Sequence, residues 1–381
     1  MKVSISVGGR FHAFDMAGYF YEAGILHELV TGYPKSVAEN FGIPAKKIQS
    51  VYINEIINRL TSKLGLGYPL NFFACEIYDY ISSKIIKKDS DVYFIWSGYA
   101  LKTIRAIRKV NKNAIIILVR GSAHIIDQEQ LLRKIDESSK EQIDKRMINK
   151  ELQEYEESDY ITVPSKFAHD SFISQGVPKE KLFLNLLGVD LKEFPFKVKN
   201  PKEKLHIGYA GIISKQKNIK GIISVLSDLN ESGHECVFHI AGDFEEGYAD
   251  VDFLKKYDFI NYVGKLPQNK LHLFYEEIDV FILNSIQDGF GMVLLQAMSS
   301  GCAIIATTNT GGPDVIKNYE NGITIPIIDN QSLKDAILWF ENNREKIAQM
   351  GLRNREITES GFTWNDFGQR NLVFINKLIN N

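Results

Sequence analysis

In the stretch DGFGMVLLQAMSSG, residues 288–301, an acid precedes two glycines and an amide follows eight positions later. Gly289 and Gly291 flank Phe290 and permit a tight turn. A helix is expected from Met292 to Ser300, stopped by a left-handed Gly301. The runs DVFILNS (Asp279–Ser285) before it and CAIIATT (Cys302–Thr308) after it read as buried strands. This order places a helix N-terminus at the C-terminal edge of a sheet, where free N–H groups and the helix dipole favour an anion. Asp288 stands before that anion site and can accept from hydroxyls. Gln296, about one turn inside the helix, can donate and accept. Together they suit a phosphorylated, hydroxyl-rich ligand such as a nucleotide-sugar. The plainer alternative is a helix-terminal acid with a surface glutamine, and the double glycine argues against it.

A second passage, GYAGIISKQKNIKG (Gly208–Gly221), gathers Lys215, Lys217 and Lys220 at a strand-to-helix turn. Lysines there would neutralise a diphosphate leaving group as preorganised positive charge. A solvated lysine-rich loop is the alternative. In the first half, Gly8 and Gly9 follow the first apolar run and would let the backbone approach a ligand. No G-x-G-x-x-G occurs there, so a dinucleotide cofactor is unsupported. RGSAH, after AIIILV, puts His124 at another strand end, where it can hydrogen-bond a sugar hydroxyl or support charge in a transition state. Asp89–Asp91 and Asp250–Asp252 each spell Asp-x-Asp, but neither directly follows a buried strand, so both read as solvated turns rather than metal ligands.

These residues need strand ends to hold them, and the chain supplies strands in series. VSISV, DVYFIW, AIIILV and YITV each lead into a helical pattern in the first half. LHIGYAG, CVFHIAGD, INYVG, DVFILNS and CAIIATT do the same in the second. Continuous apolar runs alternating with helices indicate parallel sheets covered on both faces. FPFKVKNPKEK, near residue 195, is rich in proline and lysine, has no period and reads as a linker. The expected class is α/β with two doubly wound domains facing across a cleft. Ligands would bind outside the carboxyl ends of their strands.

Composition agrees with a globular chain of two domains: 381 residues, 44% hydrophobic, 24% charged and a formal net charge of −2. The first half is mildly basic and the second mildly acidic, and neither is charged enough to suggest a nucleic acid. Three widely spaced cysteines, Cys75, Cys236 and Cys302, argue against a disulfide framework or a zinc site. The N-terminal apolar segment is short and runs into glycines, so it reads as a strand and not a signal peptide. A cytosolic protein is expected, with contact at the inner face of a membrane compatible.

Assembled in order, the chain resembles the retaining GT-B glycosyltransferases of family four. That family carries a Glu-x7-Glu signature around an FG turn followed by EAM…G. Here it reads Asp288-x7-Gln296 with GFG and QAMSSG, and NTGGPD (Asn309–Asp314) follows in step. SKQKNIKGI resembles the family's phosphate-binding loop with Lys217 in the lysine position. SDYITVPSKFAHDSFISQGVPKEKLFLNLLGVDLKEF resembles the passage ending the first domain. The resemblance implies two Rossmann-like domains. Residues 1–197 would form the acceptor side and 203–362 the nucleotide-sugar side, with a C-terminal helix, 363–381, returning toward the first domain. It implies transfer of a sugar from a nucleoside-diphosphate-sugar to a saccharide or lipid-linked acceptor with retention of configuration, without a cofactor or a metal. Asp288 would contact the donor sugar and Gln296 the ribose. Lys217, with Lys215, and the backbone of Gly289, Phe290, Gly291, Met292 and Val293 would hold the diphosphate. His124 would approach the transferred sugar, and Gly8 and Gly9 would border the acceptor. The departures are the shorter Asp288, the neutral Gln296, and Ile212 where an arginine is usual. An epimerase on the same scaffold and a non-catalytic sugar-binding partner are the competing expectations.

Overall fold

The computed structural model describes residues 1–52, 67–135, 142–200, 202–245, 247, 248 and 250–380. The chain forms two compact units. The first comprises 1–164, 169–185 and 364–381, and the second 165–168 and 186–363.

Among the described residues the first unit holds a seven-stranded sheet in the order β3-β2-β1-β4-β5-β6-β7. Its strands are β1 (Val3–Val7), β2 (Leu26–Thr31), β3 (Ile48–Ser50), β4 (Val92–Trp96), β5 (Ile115–Val119), β6 (Tyr160–Val163) and β7 (Leu182–Leu184). The second unit holds six strands ordered β10-β9-β8-β11-β12-β13. These are β8 (Leu205–Ala210), β9 (Cys236–Ala241), β10 (Ile260–Gly264), β11 (Val280–Leu283), β12 (Ala303–Thr307) and β13 (Gly322–Ile325). Neighbouring strands pair in parallel throughout both sheets. The apolar runs are buried end to end in β1, β4, β11 and β12, as strands covered by helices on both faces must be.

Each sheet reverses its direction of growth once, between β1 and β4 in the first unit and between β8 and β11 in the second. The loops after those strands diverge and leave a crevice, the place where open α/β sheets bind ligands. The candidate residues fall on these loops: Gly8 and Gly9 after β1, Lys215 and Lys217 after β8, and Asp288 after β11.

The passage read as a linker is held down against the second unit. Phe194 is buried against Tyr275, and the Lys199 ammonium donates to the Tyr275 carbonyl at 2.6 Å. Residues 186–197 therefore lie with the second unit, not the first. The helix Trp364–Asn380 packs on the helix Ala13–Glu22 of the first unit. There the Tyr19 ring lies over Gly368, where a Cβ would come within 2.2 Å of it, and Phe374 stacks on Phe183 at 4.0 Å. In the helix Leu101–Val110, Ile104 and Ile107 are buried, whereas Val110, at the helix end, is exposed.

Candidate active site at the strand ends of the second unit

The turn between β11 and the helix Met292–Ser299 requires its glycine twice. Gly291 is the helix N-cap with φ +84°, and a Cβ there would meet the Leu283 side chain at 2.4 Å. Phe290 is buried and lies over Gly311, whose amide donates to the Phe290 carbonyl at 2.7 Å. Its ring is thus a packing element, and what Phe290 can offer a ligand is backbone. The NTGGPD loop braces this turn further, with the Asn309 carbonyl accepting from the Asp288 amide at 2.9 Å. The Gly289 carbonyl accepts from the Ser165 hydroxyl at 2.5 Å. Met292 is partly exposed, and the backbone N–H groups of Met292 and Val293 make no hydrogen bond among the described residues. Such first-turn donors are the elements of an anion site.

Across the reversal point, the loop after β8 is tied to the loop after β11. The Ile286 amide donates to the Gln216 carbonyl at 2.8 Å, and the Gln216 side chain donates to the Gln287 carbonyl at 2.8 Å. This brace brings Lys217 onto Asp288, with Nζ 2.5 Å from Oδ2 and both side chains partly exposed. Sequence reasoning gave these two residues separate tasks, and the structure joins them as an ion pair. Lys215 is exposed in the same loop. Lys220 turns away, its ammonium 4.9 Å from the centre of the Tyr248 ring and 5.3 Å from that of Phe253.

Beside the pair, a cavity of about 510 Å³ opens over the ends of β8, β9 and β10. Its lining includes Gly211, Ile212, Gly242, Phe244, Val293 and Gln296. Ile212, the residue standing where an arginine is usual in the resembled family, gives the cavity an apolar wall. Gln296 is buried, and its Oε1 accepts from the Tyr275 hydroxyl at 3.0 Å. Tyr275 and the lining residues Phe244 and Gln268 escaped the sequence reading. For Tyr275 a signal existed, since a tyrosine inside the apolar run LHLFYEE must find a partner for its hydroxyl once buried.

His124 lies in the first unit, just before the helix Ile125–Ile135. Its amide donates to the Ser171 hydroxyl at 2.8 Å and its Nδ1 accepts from the Ile126 amide at 3.3 Å. The ring sits against Tyr155 and Phe172. Burial lowers its pKa to about 4, and the Arg120 charge acts the same way against the opposing influence of Asp127. The ring is therefore neutral near pH 7, with its proton on Nε2, and acts as a hydrogen-bond donor and not as a cation. Gly8 and Gly9 are required by their own unit: a Cβ at Gly8 would strike the Tyr99 ring at 2.2 Å, and one at Gly9 the Phe11 ring at 2.6 Å. Each glycine thus lets its backbone come close to a ring of its own unit.

Asp250 caps the short helix after it through the Phe253 amide, and Asp252 pairs with Lys255. Asp89 pairs with Lys2 and His27. Among the described residues no group of three or more His, Cys, Asp or Glu could hold a metal ion. No helix among them is long and apolar enough to cross a membrane.

Comparison with known proteins finds similarity in the second unit. The family model "Glycosyl transferases group 1" matches residues 190–357. This stretch is similar to a glycosyl transferases group 1 domain. The stretch holds Lys217, Asp288, Gln296 and the whole cavity. The putative colanic acid biosynthesis glycosyltransferase WcaL of Escherichia coli is 25% identical over 198 residues, 49% of this chain and 49% of that protein. The chain thus spans about half the length of that relative. Among solved structures, sucrose-phosphate synthase from Thermosynechococcus elongatus superimposes with a TM-score of 0.74 at 16% identity. It covers 100% of this chain and 99% of that one. Anabaena HepE, solved in complex with UDP, gives 0.70 at 12% identity over 99% and 100%. The architecture is the GT-B fold.

Proposed function

We propose that the chain is a glycosyltransferase that moves a sugar from a nucleoside-diphosphate-sugar to a saccharide acceptor, free or lipid-linked, with retention of configuration at the transferred carbon. The observation that carries this reading is the continuity of one surface in the second unit. The 510 Å³ cavity is lined by Val293 and Gln296, on the helix that Asp288 precedes, and by Gly211 and Ile212, in the loop that carries Lys217. A nucleoside in the cavity would lay its diphosphate on the amides of Met292 and Val293. Lys217 would then exchange Asp288 for a phosphate oxygen. The bond from the anomeric carbon to the diphosphate breaks, and the negative charge that develops on the leaving oxygen meets donors already in place. Asp288, released from Lys217, would accept from hydroxyls of the sugar. His124, as a neutral donor, would hydrogen-bond the sugar being transferred, and the Gly8–Gly9 turn would border the acceptor. Helix amides and one lysine would offset part of the diphosphate charge without a metal, and we expect the reaction to need neither a cofactor nor a divalent ion. Similarity to WcaL supports a polysaccharide as the product class.

The test is a thermal-shift screen with UDP-, GDP-, ADP- and dTDP-sugars in EDTA, followed by anomer-resolved NMR of the product. A ligand of the folded state raises the melting temperature by mass action. One donor family should do so and then transfer its sugar with the anomeric configuration kept. An epimerised donor, inversion at the anomeric carbon, or transfer restored only by magnesium or manganese would each overturn the corresponding part of the proposal.

A further inference from the structure

The cavity wall contributed by Gln296 has a polarity fixed from behind. Tyr275 is fully buried, with its ring packed against Phe194 and Phe281. Its backbone is pinned as well, the carbonyl accepting from the Lys199 ammonium at 2.6 Å and from the Cys302 thiol at 3.5 Å. The hydroxyl therefore has one place to be, 3.0 Å from Gln296 Oε1. Burial holds the phenol well above its usual range, so it keeps its proton at every physiological pH. That proton needs an acceptor, and the Gln296 carbonyl oxygen is the one within reach. Turning the amide over would leave a buried O–H without an acceptor, which is costly. With Oε1 committed, the Nε2 group makes no hydrogen bond among the described residues and is the face of Gln296 that borders the cavity.

We propose that Tyr275 is a positioning residue that locks Gln296 as a hydrogen-bond donor, so that this site reads a ribose hydroxyl of its nucleotide through the hydroxyl's oxygen as acceptor. An acid at position 296 would present an acceptor and read the hydroxyl's proton; the amide locked by Tyr275 reads the opposite partner. This inference rests on the cavity holding the nucleoside, as proposed above.

The experiment is a double-mutant cycle on binding, read by calorimetry with whichever of UDP, GDP and ADP binds the wild type most tightly. Gln296→Leu should weaken binding about three- to tenfold and Tyr275→Phe about two- to fivefold, as expected for loss or misorientation of one neutral hydrogen bond. In the Gln296→Leu background, Tyr275→Phe should cost nothing further, because the residue acts only through the amide. Against the 2′-deoxy or the 3′-deoxy analogue of the same nucleotide, whichever lacks the contacted oxygen, the Tyr275→Phe penalty should vanish. An unchanged affinity in Tyr275→Phe overturns the proposal. So does an equal penalty with and without Gln296, the signature of general repacking, or a penalty that persists against both deoxy analogues. If the folded wild type binds none of UDP, GDP, ADP and dTDP, the proposed function itself fails and this inference falls with it; binding of dTDP alone overturns this inference only.

Discussion

The strand ends of the two units use charge in opposite ways. In the first unit, acidic side chains are turned inward onto the unit's own backbone, and burial together with Glu151 raises Glu154 to about 8, so that it is mostly the neutral acid near pH 7. Glu154 accepts from the amides of Gly98, Ala100 and Leu101 at 2.6, 2.9 and 3.1 Å. Asp79 accepts from those of Lys102 and Thr103 and pairs with Lys150 at 2.9 Å. Arg120 is shared among the Ala123 carbonyl, Glu151 and Gln128, and so fixes the loop that carries His124. In the second unit, the charges at the reversal point face each other across a partly exposed pair, and Gln296 keeps a donor for the cavity. A buried charge saturated by backbone N–H groups is a structural rivet, because removing it strands several partners. A partly exposed ion pair contributes less to folding than a buried, fully saturated one and can exchange its partner more readily. On the proposed function, the first edge would hold a neutral donor still and the second would hand over a cation.

That contrast breaks if Lys217 behaves like the rivets. Lys217→Ala should lower turnover about 10²–10³-fold, the usual cost of one preorganised donor to developing charge, while moving the melting temperature little. Unchanged kinetics, or a large loss of stability, would place Lys217 on the structural side. The smaller test is at the other edge. His124→Ala should lower turnover about five- to tenfold, as loss of one neutral hydrogen bond would, and leave nucleoside-diphosphate affinity intact. A matching fall in affinity would mean that His124 serves the nucleotide.

The smallest effect is thermodynamic. Burial lowers His12, His124 and His239 to about 4 from the usual 6.5. Each takes up a proton on unfolding between those two values, so the unfolded chain binds more protons there. The stability these rings contribute is therefore complete above pH 6.5 and declines as the pH falls toward 4, by at most about 1.4 kcal/mol per pH unit for each ring, against the opposite contribution of Glu154, which burial raises to about 8. Melting temperatures measured from pH 7.5 to 4.5 should show this slope, and His239→Asn should flatten it. A slope that does not change in His239→Asn would mean that this ring takes up its proton as readily in the folded as in the unfolded chain.

The strand–helix alternation was legible because strands buried on both faces are written as unbroken apolar runs, and β1, β4, β5, β8, β11 and β12 were readable on that basis. The strand β2 was not, since LHELVT carries His27 and Glu28. Glu28 is buried at an apolar position because the Lys87 amide donates to it at 2.5 Å, a partner 59 residues away that no local pattern announces. The Gly291 turn and the stop at Gly301 could be read because glycine chemistry is local, and both have positive φ. The pairing of Lys217 with Asp288 could not, because it depends on Gln216 clamping two loops from different strands. For the same reason Lys199, in a passage that reads as solvated linker, is found buried with its ammonium on backbone carbonyls.

The helix Trp364–Asn380 also sets an order of events during synthesis. Every residue of the second unit leaves the ribosome before the first unit receives this helix. Until then, Tyr19 lacks the Gly368 backbone beneath its ring, Phe183 lacks Phe374, and the exposed edge of Tyr160 lacks the same side chain. The nascent first unit therefore carries an uncovered aromatic face for as long as the second unit takes to be translated, the kind of surface that recruits chaperones and promotes aggregation. The half that begins folding first is the half that finishes last.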